Sequence, residues 1–273
     1  MSGEALSGVS RTAVWAAGLR ASESERADRW FDDQFAAVFA SVAGSGATLD
    51  VKALPPGTHE VMAIRTRFYD DQARAACAAG IRQVVLLAAG LDSRAFRLDW
   101  PDNVRLFELD LPGLFAFKEA ALASVNAVAR CVRIVVAVDL RDQWAGTLIA
   151  AGFDPAVATA WLAEGLLPYL EPASSDKLLA TATELSAAGS QLAFDYAEAA
   201  ALDQMAHLTS EDMRQVSALL KAAKGSPTDW LATHGWQHSS QPLPALGERY
   251  GRPLPAGADL VMLNAAILVA ASR

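Results

Sequence analysis

Residues 83–110 read QVVLLAAGLDSRAFRLDWPDNVRLFELD, and this stretch decides the fold. It opens on an unbroken apolar run, passes through the small residues Ala88, Ala89 and Gly90, and returns to a second apolar run that closes on an acid, Asp110. A strand buried on both faces reads as a continuous apolar block, not as an alternation. The pattern recurs outward in RIVVAVDL (133–140), ATAWLAEGLL (158–167) and SQLAFDY (190–196). Between these runs Leu114 to Val128, Gln143 to Ala151 and Ser174 to Ala187 have helical period, the last stopping at Gly189. Alternating strands and helices with short connections predict a mostly parallel sheet with helices on both faces, an α/β doubly wound, Rossmann-like fold. HGWQHSS (234–240) and NAAILVAASR (264–273) add two late strands, joined by a Pro/Gly-rich connection.

Ahead of the first strand, residues 1–80 read as helices over Ser10 to Arg20, Glu23 to Ser41 and His59 to Ala79. We therefore expect an N-terminal helical cap (1–80) over the mouth of a sheet core (81–273), together one structural domain. A helical stretch from Tyr196 to about Ala223 and a helix start at Ser226-Pro227 complete the expectation.

Composition excludes several classes. The chain has 52% hydrophobic and 20% charged residues, enough to build a core and unlike a disordered acidic tail. Lys and Arg number 23 against 31 Asp and Glu, a net charge of −8, which argues against nucleic-acid partners and a polybasic membrane surface. Cys77 and Cys131 are too few for a disulfide framework or a cysteine-rich zinc site and read as core fillers. The N-terminal stretch lacks the pattern of a secretory signal, and the run Leu260 to Ala270 is too short to span a bilayer; a soluble, cytoplasmic protein is expected.

The chemistry concentrates where strands end. In open α/β sheets ligands bind beyond the carboxyl ends of the strands, where small residues let a ligand approach the backbone. Ala88-Ala89-Gly90 suits that need, although it is not G-x-G-x-x-G. Asp110, 20 residues after Gly90, stands where an acid accepts hydrogen bonds from the ribose hydroxyls of an adenosine cofactor; alternatively it caps the helix near Pro112. Asp139 with Leu140 suits an adenine, which has a polar edge and apolar faces. Glu164 interrupts an apolar run and needs a partner, either a cationic ligand group or an arginine.

Together these elements resemble the S-adenosylmethionine-dependent methyltransferases of the leucine carboxyl methyltransferase family. The likeness runs through residues 83–112 and AVDLRDQWAGTLIAAGFDPAVATAWLAEGLLPYL (137–170), with IRTRFYDD (64–71), SGVSRTAVWAAGLRASE (7–23) and RWFDDQFA (29–36) matching segments before the first strand. It covers roughly residues 8–196 and departs at one point, Ala88, where the family loop reads G-A-G. The resemblance implies a seven-stranded sheet and S-adenosyl-L-methionine as cofactor. It further implies Asp110 as the ribose acid, Asp139 and Leu140 against the adenine, and Ala88 and Gly90 along the methionine portion. Arg65 becomes the holder of the methionine carboxylate, ahead of Arg67, and Glu164 an acid near the cofactor. Without the resemblance, Arg65 reads first as a helix-surface ion pair with Asp70 or Asp71.

The acceptor is expected to be a small molecule, its methylated atom an oxygen, with a carboxylate preferred because it is ionised at neutral pH and needs no general base. A hydroxyl acceptor is the alternative, with His59, His207, His234 or His238 as base. A nicotinamide-dependent oxidoreductase and a catalytically silent cofactor-binding module are the other readings. Trp15, Tyr69 and Tyr169 are candidate acceptor contacts. No catalytic residue and no metal ligand is assigned.

Overall fold

Strand β1 (Gln83–Leu87) is buried along its whole length, as its apolar run requires. The structure is a computed structural model that describes residues 8–43, 54, 56–197, 219–221, 227–255 and 267–273. β1 pairs in parallel with β2 (Arg105–Asp110) on one side and β4 (Thr159–Ala163) on the other. β3 (Val132–Ala137) extends the sheet beyond β2, and β5 (Gln191–Tyr196) lies beside β4. β7 (Ile267–Ser272) runs antiparallel to both β5 and β6 (Gln237–Pro242). The order is β3-β2-β1-β4-β5-β7-β6, with β7 the reversed strand.

The period-two geometry of strands sends alternate β1 side chains into two separate cores. Val84 and Leu86 join the layer formed by α3 (Thr58–Ala78), α5 (Pro112–Ser124) and the N-terminal helices α1 (Gly8–Ser24) and α2 (Gln34–Ala43). Val85 and Leu87 join the opposite layer, with α6 (Trp144–Ala150), α7 (Pro172–Glu184) and α8 (Pro227–Thr233). In that second layer Trp161 is fully buried between Trp144 and Phe153, and its indole N–H donates to Ser186 Oγ at 2.9 Å. A buried indole needs such a partner.

Elements differ from expectation where side chains turn the backbone. β1 stops at Leu87, not Gly90, because Ala88 takes a left-handed conformation (φ 54°). The single helix expected over Glu23 to Ser41 is broken: Trp30 N donates to the Glu23 carboxylate (2.9 Å) and Asp33 N to Ser24 Oγ (2.8 Å). Asp33 then caps α2, its Oδ1 accepting from Ala36 N at 3.1 Å. A short helix α4 (Arg94–Arg97) was not expected, and the late Pro/Gly-rich connection contains α9 (Leu243–Arg249), started by proline in its first turn. The helix expected from Tyr196 to about Ala223, and His207 within it, lie outside the described residues but for its ends. No helix among the described residues is long and apolar enough to cross a membrane.

A line of ion pairs fastens the N-terminal helices to the sheet. Arg20 on α1 meets Asp33 (2.8 Å), and Asp33 lies 3.9 Å from Arg97 on α4. Arg97 grips Asp70 on α3 with two donors, at 2.6 and 2.7 Å. Asp70 also holds Arg94 (2.8 Å), which continues to Asp92 and to Glu164 (2.8 Å) beyond β4; Glu164 ends the line on Arg65 of α3 (3.1 Å). Four arginines face four acids. Burial works against the Asp70 charge, but the guanidinium groups of Arg97 and Arg94 outweigh it and hold its carboxyl below the usual range.

Removing one member of such a buried set strands its partners. Asp70→Asn should therefore lower stability by about 3–5 kcal/mol in denaturant titration; a loss under about 1 kcal/mol would contradict the arrangement. Because the folded pKa of Asp70 is depressed, its contribution is complete above the unfolded carboxyl value of about 4 and fades as pH falls through the folded value. That part of the acid limb should be missing in Asp70→Asn.

Candidate functional site

The carboxyl ends of β1, β2 and β4 open into a cavity of about 290 Å³. Its floor is the 86–92 segment with Asp110 and Leu162, one wall is Glu164 to Leu166 with Tyr169, and α1 and α3, with Leu54, Arg94 and Leu114, supply the rest. Parallel strands place this edge at the ends where loops vary, so the location follows from the topology.

The loop after β1 is tightly wound. Ala88 (φ 54°) and Gly90 (φ 50°) are both left-handed, and Asp92 N donates to Ala89 O at 2.8 Å. Asp110 braces this turn: its Oδ2 accepts from Gly90 N at 2.6 Å and its Oδ1 from Leu111 N at 2.7 Å. It does not cap α5. Each carboxylate oxygen retains a second acceptor site, so Asp110 is both oriented by backbone and able to bind a ligand in the cavity it lines. Burial pushes its carboxyl above the usual range, against the pull of those two N–H groups and Lys118.

Arg65 and Glu164 form the polar patch on the wall. Arg65 Nε donates to Glu164 Oε1, and its Nη2 lies 3.5 Å from Met62 Sδ. Nη1 donates no hydrogen bond to a described residue. A Cβ at Gly165 would stand 3.5 Å from Nη1 and 3.6 Å from Nη2, so the outer edge of the fork lies over a glycine. Glu164 is partly buried, yet Arg94 and Arg65 hold its carboxyl below the usual range. Gly165, itself left-handed (φ 62°), donates its N–H to Asp195 Oδ1 at 2.6 Å.

Of the residues singled out in the sequence, Trp15, Arg65, Ala88, Gly90, Asp110, Glu164 and Tyr169 share this cavity. Three do not. Asp139 spends both oxygens on Arg141, two residues on, in a surface ion pair at the turn after β3. Leu140 packs toward the α6 layer. Backbone pairing brings the strand tips together, with Val138 N donating to Asp110 O at 2.8 Å, but neither side chain reaches the cavity. Tyr69 is fully buried, its hydroxyl 2.7 Å from Asp195 Oδ1, and is a core residue, not an acceptor contact. Arg67 is on Asp71, and Arg65 is paired with neither Asp70 nor Asp71. Trp30 lies against Tyr250 and Arg252; His234 stacks on Trp230; His59 is half-buried on Ser22.

Arg20 and Arg94, which also line the cavity, were not anticipated. Two arginines three residues apart (94 and 97) in an otherwise apolar helical stretch were the available signal, since such charges enter a core only with partners.

Comparison with known proteins supplies the class. The leucine carboxyl methyltransferase family matches residues 13–183. A proposed S-adenosyl-L-methionine-dependent methyltransferase of Parafrankia sp. is 43% identical over 91% of this chain and 83% of its own. A Saccharopolyspora erythraea protein described in the same terms is 44% identical over 91% and 90%. The fold is shared with a DUF574 family protein of Streptomyces avermitilis (TM-score 0.60, 14% identity, 94% and 97% covered) and with a proposed methyltransferase of Thermobifida fusca (0.56, 15%, 95% and 94%). Fold and relatives together define an S-adenosylmethionine-dependent methyltransferase. The chain belongs to the leucine carboxyl methyltransferase family. The nicotinamide oxidoreductase reading also fails on topology: the dinucleotide-binding sheet has order 3-2-1-4-5-6, without the reversed strand β7 inserted here.

The cavity residues fit the cofactor. Asp110 offers carboxylate lone pairs, Arg65 offers an uncommitted guanidinium edge, and the floor is backbone with small side chains.

Ala88 adopts the conformation that glycine adopts without strain. Left-handed geometry costs a non-glycine residue about 1–2 kcal/mol, offset in part by the greater unfolded freedom of glycine. Ala88→Gly should raise stability by about 0.5–1 kcal/mol in denaturant titration and retain cofactor binding. A destabilised variant would show that the Ala88 methyl packs usefully.

Proposed function

We propose that this methyltransferase esterifies a carboxylate oxygen of a small organic acid, holding the cofactor between Asp110 and Arg65. The observation that carries the acceptor is the composition of the cavity wall, whose one carboxylate free of an arginine, Asp110, is held by two backbone amides. The described lining contains no histidine, lysine or cysteine. Glu164 and Asp92 are paired with arginines that hold their carboxyls low, which makes them weak bases. Burial pushes the Tyr169 phenol up, away from phenolate. A carboxylate acceptor needs no proton removed, whereas a hydroxyl does. α1 lines the cavity from Thr12 to Arg20, and an acceptor bound against it is more readily a small molecule than a protein terminus.

S-adenosylmethionine supplies a methyl group already activated by its sulfonium. The chain's part is alignment and exclusion of water. Asp110, fixed by Gly90 N and Leu111 N, would accept from ribose hydroxyls. Arg65 would direct its outer edge to the methionine carboxylate, and Glu164 would neutralise the ammonium beside it. Trp15, Met62 and Tyr169 would close over the acceptor. Asp139 and Leu140 would reach the adenine only if the Asp139–Arg141 pair opened.

Calorimetry separates the two ends of the cofactor. Arg65→Lys loses a bidentate fork and should weaken S-adenosylhomocysteine by roughly 10- to 100-fold while leaving adenosine unchanged. Asp110→Asn should weaken both. Equal affinities in all three proteins would remove these residues from the site. For the acceptor, label transferred from methyl-labelled cofactor to a panel of carboxylic acids and phenols should be base-labile, as an ester is. The rate should be flat between about pH 6 and 8, because a carboxylate of pKa near 4 stays ionised. Base-stable label with a rate rising through that range would indicate a hydroxyl acceptor.

A further inference from the structure

We infer that Asp195 is a positioning residue for the cofactor end of the cavity, acting through Gly165 on Glu164 and Arg65; the inference rests on the cofactor reading above. Asp195 lies on β5, 3% exposed, and does not line the cavity, so it touches neither cofactor nor acceptor. Its Oδ1 accepts from Gly165 N at 2.6 Å. The same oxygen is 2.7 Å from the Tyr69 hydroxyl, whose single proton it shares unequally with Ala163 O at 3.1 Å. One carboxylate thus ties α3, the end of β4 and the turn after it to a single point.

That turn is where geometry matters. Gly165 is left-handed, and the outer edge of Arg65 sits over it, within 3.6 Å of where a Cβ would stand. Glu164, the preceding residue, takes Arg65 Nε on one oxygen and Arg94 on the other. A peptide in this conformation, with its N–H unheld, is free to rotate, and rotation would carry both the Glu164 carboxylate and the surface beneath Arg65 with it. A glycine can make that turn without help, but only an acceptor at Asp195 Oδ1 fixes which way its amide points.

The test is S-adenosylhomocysteine affinity by calorimetry on the full chain, with turnover at saturating cofactor. Asp195→Ala should raise Kd at least tenfold while changing kcat less than threefold. Asp195→Asn, which keeps an amide oxygen at the same place, should restore Kd to within threefold. A role in stability alone would lower the melting temperature and leave the Kd of the folded protein unchanged, and would overturn the inference. So would an asparagine variant as weak as the alanine one. If the alanine variant does not fold, Asp195→Ser, whose hydroxyl is one bond too short for Gly165 N, should show the same loss; wild-type affinity in it overturns the inference. Glu164→Gln distinguishes the two levels. If it loses affinity while Asp195→Ala does not, positioning alone fails; if it too binds as wild type, the place of Glu164 beside the cofactor fails and takes the inference with it.

Discussion

The buried contact between Asp70 and the paired arginines 94 and 97 is the constraint on which the rest of the structure depends. Three charges taken out of water at one place are tolerable only if each is met by an opposite charge with good geometry. Meeting that condition recruits Asp33 and Arg20 at one end, and Asp92, Glu164 and Arg65 at the other. The result links α1, α3, α4 and the β4 tip by charge where no strand pairing could join them. An apolar interface would hold the same helices but would not orient a guanidinium over the cavity. Here the last link of a structural chain, Arg65, is also the group directed at the cofactor, so the seating of the N-terminal helices and the shape of the binding wall are one property.

A second constraint comes from the backbone. Ala88, Gly90 and Gly165 all take left-handed conformations at the carboxyl edge of the sheet, and two of the three have a side-chain carboxylate on their own amide: Asp110 for Gly90, Asp195 for Gly165. The sheet therefore sends an acid from the end of β2 back to the loop of β1, and another from β5 back to the loop of β4. Each acid comes from the neighbouring strand, which parallel registration makes possible. Both carboxyls are raised by burial, the expected consequence of putting them where they can brace a turn.

Much of this was legible in the sequence. The continuous apolar runs mark β1, β2, β4 and β5 as strands buried on two faces, whereas β3, from the equally apolar RIVVAVDL, is an edge strand with Val132 and Val135 exposed. The interval from Gly90 to Asp110 marks an acid at the cofactor end of the sheet, but not its bond to the Gly90 amide. Asp139 and Leu140 stand outside the cavity lining: position after a strand does not reveal a competing local partner, and Arg141, two residues on, takes the Asp139 carboxylate. Tyr69 was misread for a related reason: helical position does not show which face meets the sheet, and this one is turned to Asp195. Arg65, Asp70 and Asp71 read from the sequence as surface charge or a ligand contact, and Asp92, Arg94 and Arg97 give no local sign of a partner. Their mutual pairing is long-range, between residues 24 and 27 apart in the chain, and no local pattern encodes it.

The most direct test of the cofactor assignment is a crystal structure of the chain grown with S-adenosylhomocysteine. The ribose hydroxyls should lie within hydrogen-bonding distance of Asp110, and the amino-acid carboxylate should lie on the outer edge of Arg65 above Gly165. A product molecule bound away from both side chains, or a cavity still closed around Arg65 and Glu164 with the ligand elsewhere, would contradict it.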